Sequence, residues 1–167
     1  MYPPLRLYMI RHGIAVDRSS DLPDEQRPLT PQGQQKTQEV AQRLRALGIG
    51  FDYLQTSPLV RTRQTAEILQ EEGLVGKVHT SEWLSPQGSF EQWLAWLQSW
   101  REQKYPHLAI VGHEPYLSEW AERLIWGAVR HQLVLKKAGM IGILLPEQEN
   151  PVSHSTLFWL TAPKFLL

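Results

Sequence analysis

Two histidines and two arginines, far apart along the chain, are the residues best equipped for chemistry. Arg11-His12-Gly13 closes one apolar run, Arg61 follows Ser57-Pro58, and His113 lies in Gly112-His113-Glu114-Pro115 after another apolar run. Guanidinium forks match phosphoryl oxygens and stay charged. A neutral imidazole nitrogen can attack phosphorus, and histidine is partly neutral near pH 7. The attacking ring needs an acceptor on its other nitrogen, expected to be a main-chain carbonyl. A second imidazole, if protonated, can donate to a phosphoryl oxygen as charge shifts in the transition state. Gly13 and Gly112 are expected to let the backbone approach the anion closely. Each residue alone has a plainer reading. His12 would be a loop histidine satisfied by backbone, Arg11 a surface cation, Arg61 a partner of Glu67, and His113 a capping residue.

These residues act together only if the intervening elements bring them to one place. Leu5 to Ile10 reads as a buried strand after Pro3-Pro4, and residues 17 to 28 read as a polar loop. Thr30-Pro31 predicts a helix start, with Val40, Ala41, Leu44 and Leu47 on its buried face and Gly48 at its end. Phe51 to Gln55 predicts a second strand. Ser57-Pro58 predicts a helix through about Glu72, with Leu59, Thr62, Ala66 and Leu69 buried. Val78 to Thr80 is expected as an edge strand. Ser89 and Gln92 suggest a capping box ahead of a helix with a wide aromatic face.

Leu108 to Val111 predicts a further strand, and Pro115 a helix that stops at Gly127. Met140 to Leu145 and Thr156 to Leu160 predict two last strands, joined through Pro146 and the polar stretch to Ser155, and able to pair antiparallel at an edge. Strands alternating with helices mean right-handed crossovers and a largely parallel sheet covered on both faces. Ligands in such folds sit beyond the C-terminal strand ends. Arg11, His12, Arg61 and His113 all belong to that rim.

Composition removes several alternatives. Formal net charge is zero, which gives no electrostatic reason to expect nucleic acid or an anionic membrane as partner. Cysteine is absent, excluding disulfides, thiolate nucleophiles and cysteine zinc sites. The opening MYPPLRLYMIRHG does not read as a secretory signal, and no apolar run is long enough to span a bilayer, so a cytoplasmic protein is expected. No P-loop, GxGxxG, HExxH or GxSxG motif occurs. Arg11 and Arg61 would repel a divalent cation from a site built on His12 and His113, so neither a metal nor a cofactor is expected. Residues 1–167 read as one domain.

RHG at 11–13, RPLTPQG at 27–33, SPLVRTRQTAE at 57–67 and GHEP at 112–115 resemble the histidine phosphatase superfamily, and within it the short SixA-type phosphohistidine phosphatases. The resemblance extends to the closing TLFWLTAPK. It implies a phosphoglycerate mutase-like α/β fold: a three-layer α/β/α sandwich on a mostly parallel sheet, without a large cap insertion. It implies that His12 is the phosphorylated nucleophile, that Arg11 and Arg61 bind phosphate, and that His113 is the second pocket histidine. Many members protonate the leaving oxygen with a Glu after the third strand. Glu82, in SEWLSPQG, lies in the matching region, and Asp21 and Asp24 are alternatives. A weak acid matters less for a phosphoramidate, because imidazole accepts a proton readily as it leaves.

Little sequence is available for a lid between residues 73 and 107, which suits a phosphorylated protein as partner and points away from a mutase. A small phosphoester is the other substrate class, for a broad phosphomonoesterase. A phosphate-recognition module without turnover is a third reading, against which the intact His12 argues. Ser57 is expected as an N-cap, or with its hydroxyl toward the anion. Arg63 and Gln64 are expected in packing or solvent contacts, and His79, His107, His131 and His154 as structural. Lys136-Lys137 reads as a solvated turn, or as a contact for an acidic partner.

Overall fold

A computed structural model describes residues 3–147 and 150–167 of the chain. Gln148 and Glu149, within the stretch expected to join the last two strands, lie outside the described residues. The strands are β1 (Leu5–Arg11), β2 (Tyr53–Thr56), β3 (Val78–Thr80), β4 (His107–Gly112), β5 (Met140–Leu145) and β6 (Thr156–Thr161). The helices are α1 (Pro31–Ala46), α2 (Val60–Glu71), α3 (Phe90–Trp100) and α4 (Tyr116–Trp126). The sheet order is β3-β2-β4-β1-β5-β6. The first four of these are mutually parallel, whereas β5 runs antiparallel to β1 and β6 antiparallel to β5.

Alternation along the central strands sends side chains to two cores, as a sheet covered on both faces requires. Leu5, Leu7 and Met9 of β1 join Leu108 and Ile110 of β4 against the aromatic face of α3 and against α4. Tyr8 and Ile10 join Ala109 and Val111 against α1 and α2. The architecture is therefore the expected three-layer sandwich. Trp93, Trp100 and Trp120 fill one layer of it.

The local signals for α1 and α3 hold. The Thr30 hydroxyl accepts from Gly33 N–H, and the Ser89 hydroxyl accepts from Gln92 N–H. Two expectations need correction. Leu47 lies beyond the end of α1 and is 50% exposed rather than on its buried face. Helix α2 starts at Val60 with Leu59 as its N-cap, so Ser57 is not the cap. Its hydroxyl is used elsewhere. Among the described residues no helix is long and apolar enough to cross a membrane.

Candidate active site

Strand pairing brings the two histidines together. Arg11 at the end of β1 pairs with Gly112 at the end of β4, so His12 and His113 leave neighbouring parallel strands side by side. Their ring centroids are 5.5 Å apart. Arg11, His12, Arg61 and His113 all line one cleft of about 750 Å³ beyond the C-terminal strand ends. The four residues singled out from the sequence thus meet, as the parallel sheet requires.

His12 is held in one tautomer. Its Nδ1 lies 2.6 Å from the Gly13 carbonyl oxygen, which can only accept, so Nδ1 carries the proton and Nε2 keeps its lone pair. Burial pushes its pKa down to about 3; the Gly13 hydrogen bond opposes this, while the charges of Arg61, Arg11 and Lys137 add to it. The ring is therefore neutral at pH 7, the form a nucleophile needs.

The glycines also serve packing. Gly13 N–H donates to Thr65 Oγ1 at 3.1 Å. A Cβ on Gly13 would sit 2.4 Å from Thr37 Oγ1, so the residue is small because α1 crosses there. A Cβ on Gly112 would meet Leu117 of α4 at 3.1 Å.

The free site does not hold His113 in the protonated form. Its pKa is lowered to about 3, first by burial and next by the charge of Arg61, so the ring is neutral at pH 7. A neutral ring still offers one N–H, and an anion bound beside it would raise its pKa. Ser57 Oγ contacts His113 Nε2 at 2.8 Å and accepts from Leu59 N–H at 3.3 Å. The serine orients the imidazole, and His113 Nδ1 has no protein partner among the described residues.

The cations come from three segments. Arg61, 2% exposed in the first turn of α2, donates through Nη1 to the Asp24 carbonyl at 2.8 Å and through Nη2 to Asp24 Oδ2 at 3.3 Å. Arg27 donates to Asp24 Oδ1 through Nε and Nη2 at 3.0 and 2.8 Å. Arg11 donates to the Leu135 carbonyl at 2.9 Å. The Nε atoms of Arg11 and Arg61 are buried without a protein partner among the described residues. Sequence reading gave Arg27 no role, although it stands in the RPLTPQG motif. A lone arginine before proline carries no signal that it folds inward.

Glu122 was also missed. Its buried carboxylate accepts main-chain N–H bonds from Arg130, Gln132 and Leu133 at 2.6, 2.9 and 3.2 Å. It thereby fixes the segment whose Leu135 carbonyl holds Arg11.

The carboxyls sort differently from expectation. Glu82 is exposed and takes a hydrogen bond from Ser85 at 3.4 Å. It faces a separate depression with Tyr53, His79 and Trp83. The turn through Gly88 instead sends Pro86 and Gln87 to the cleft. Asp21 does not line the cleft either. Asp24 does. Partial burial pushes the Asp24 pKa up, but hydrogen bonds and charge from Arg27 and Arg61 outweigh this and hold it below the usual carboxylate range.

Glu114, which stands in GHEP and was given no role from the sequence, also lines the cleft. Burial raises its pKa, although a hydrogen bond from Ser118 and the charge of Arg11 oppose the rise. Ser118 Oγ donates to Oε2, and Oε1 is buried without a partner among the described residues. Of the remaining histidines, His79 stacks on Tyr53 at 4.1 Å and none lines the cleft. Gln64 is half-buried, and its Oε1 accepts from Leu29 N–H at 2.7 Å. Among the described residues no group of three or more His, Cys, Asp or Glu side chains is arranged to hold a metal ion.

Fold and cleft define a three-layer α/β protein with a paired-histidine, arginine-lined site beyond the strand ends. Residues 7–106 match the model of the histidine phosphatase superfamily (branch 1), and the chain belongs to that family. It is 45% identical over 164 residues to an uncharacterized protein of Picosynechococcus sp., covering 98% of this chain and 99% of that one. The solved structure of the protein histidine phosphatase SixA, complexed with tungstate, has the same fold. It matches with a TM-score of 0.84 at 23% identity, over 98% of this chain and 100% of that one. The alpha-ribazole phosphatase of Shigella flexneri matches with a TM-score of 0.73 at 20% identity, over 95% of this chain and 97% of that one.

Proposed function

We propose that the chain is a phosphohydrolase that works through a phosphohistidine on His12, with phosphohistidine carried by another protein as its substrate. One observation carries the reading: the Gly13 carbonyl holds Nδ1–H of a neutral, buried His12, so Nε2 offers its lone pair beside His113 and Arg61. In the first step Nε2 bonds to phosphorus and the substrate's P–N bond breaks. The substrate imidazole leaves with the electron pair and takes up a proton. Arg11 and Arg61 neutralise the phosphoryl oxygens, and His113 donates its one N–H to them.

In the second step water attacks phosphorus and the bond to His12 Nε2 breaks. Inorganic phosphate leaves and the lone pair returns to the ring. Charge neutralisation rests on arginines in this scheme, so activity is expected to survive a chelator. The fold shared with SixA over 98% of the chain supports a protein-borne substrate.

A small phosphate ester is the second reading, and Glu114 favours it. Its raised pKa gives the cleft a carboxyl able to protonate an alkoxide leaving group, which such an ester needs and a phosphoramidate does not.

The His12→Ala variant is expected to incorporate no acid-labile phosphate and to lose about ten-thousand-fold in kcat. Normal turnover by that variant would end the proposal. Rates on a phosphohistidine peptide and on p-nitrophenyl phosphate decide between the two substrate classes.

A further inference from the structure

We propose that a lysine-lined groove beside the cleft docks an acidic surface of the phosphorylated partner protein, next to the side chain that enters the cleft. The inference rests on the phosphohydrolase reading above and names the partner's chemistry. Lys36 of α1, Lys136 and Lys137 of the turn before β5, and Lys164 near the C-terminus line one depression of about 530 Å³. They come from three stretches of chain with no common motif. The chain as a whole balances 17 basic against 17 acidic residues, yet among the described residues no acidic side chain lines this groove. None of the four lysines is ion-paired among the described residues.

The groove is continuous with the site. Arg11 and Lys137 line both depressions, so groove and cleft share a wall. The turn that carries the lysine pair is tied to the reacting segment. Ala138 N–H points to the Arg11 and His12 carbonyls, both at 3.1 Å, and Gly139 N–H donates to the Lys136 carbonyl at 2.8 Å. The pair therefore keeps a fixed position relative to His12.

The cation types favour a protein surface over a second phosphate. Arginine forks grip phosphate, and those lie inside the cleft. Lysines are point charges on flexible stems. They suit carboxylates spread over a protein face, where they steer the encounter and fix its orientation. Between the lysines the floor is apolar, made by Ile14, Ala162 and Pro163, and accepts an uncharged side chain between carboxylates.

The test uses the triple variant Lys36→Glu, Lys136→Glu, Lys164→Glu, which leaves Arg11 and Lys137 of the cleft unchanged. The probes are two phosphohistidine peptides of equal length, one flanked by glutamates and one by lysines, together with phosphoramidate. The unaltered chain is expected to prefer the glutamate-flanked peptide by about tenfold in kcat/KM at low salt, with the preference shrinking as salt rises. The variant is expected to lose or invert that preference while its rate on phosphoramidate stays the same. Equal rates on both peptides by the unaltered chain would overturn the proposal and leave the phosphohydrolase reading intact.

A lysine-dependent gain for a small bisphosphate, without one for the acidic peptide, would also overturn it in favour of a small polyanion. If no probe is turned over, the phosphohydrolase reading fails. Fluorescence anisotropy with the unphosphorylated peptides then tests the groove by itself, through the loss of acidic-peptide affinity in the variant.

Discussion

In the cleft Asp24 meets the guanidiniums of Arg27 and Arg61, and its carboxylate is held in the charged form. Glu114, which lines the same cleft, meets a serine hydroxyl, is more deeply buried, and is pushed toward the protonated form. The functional group is the same in both. What differs is how many cations lie within hydrogen-bond reach and how much water is excluded. A carboxylate pinned by two arginines cannot give up or take a proton near neutral pH, but it can hold those arginines in place. A carboxyl without such partners can exchange a proton. Asp24 is thus suited to holding arginines, and Glu114 to the proton transfer proposed for it.

Removing the holder should have the larger effect. Asp24→Ala frees Arg27 and Arg61 together and is expected to lower kcat/KM about a hundredfold on every substrate. Steady-state kinetics on a phosphohistidine peptide and on p-nitrophenyl phosphate check this, and unchanged rates would remove Asp24 from the site's machinery. Glu114→Gln should act selectively. A loss of about thirtyfold on p-nitrophenyl phosphate, against less than threefold on phosphoramidate, is expected for a proton donor that only the ester needs. The ester rate of the unaltered chain should fall as pH rises through the raised pKa of Glu114, and that limb should flatten in the variant. Equal losses on both substrates would show that Glu114 positions its neighbours instead.

The smallest effect concerns stability. Asp24 has a lower pKa folded than unfolded, so its contribution is complete above the unfolded carboxylate pKa and fades as pH falls through the folded one. Solvent screening of this half-exposed carboxylate keeps the contribution to about 1 kcal/mol. Urea denaturation of Asp24→Asn should show that difference in full at pH 7 and a smaller one at pH 3. A constant gap at both would mean the ion pairs add nothing specific.

The strands and helices could be read locally because each is fixed by near neighbours: an apolar run, a Thr30-Pro31 start, a Ser89 cap. Boundaries shifted where a longer-range bond competes. Phe51 and Asp52 donate to Leu74 and His107 carbonyls and stay outside β2. Ser57 looked like a cap and serves His113 instead, because Leu59 begins the helix and the hydroxyl lies against the imidazole. Glu82 occupied the expected segment, but the turn through Gly88 presents Pro86 and Gln87 to the cleft in its place. Glu114 was in plain view beside His113, yet nothing in four letters reveals its burial.

The sequence by itself determined that two imidazoles and two guanidiniums converge. Residues at the C-terminal ends of adjacent parallel strands, or in the helix turn just after one, must share a rim. Only the tertiary structure decided their protonation states, which carboxyl is pinned, and that four lysines form one groove. Those properties depend on distance and water exclusion among segments up to a hundred residues or more apart, and no local pattern of residues encodes them.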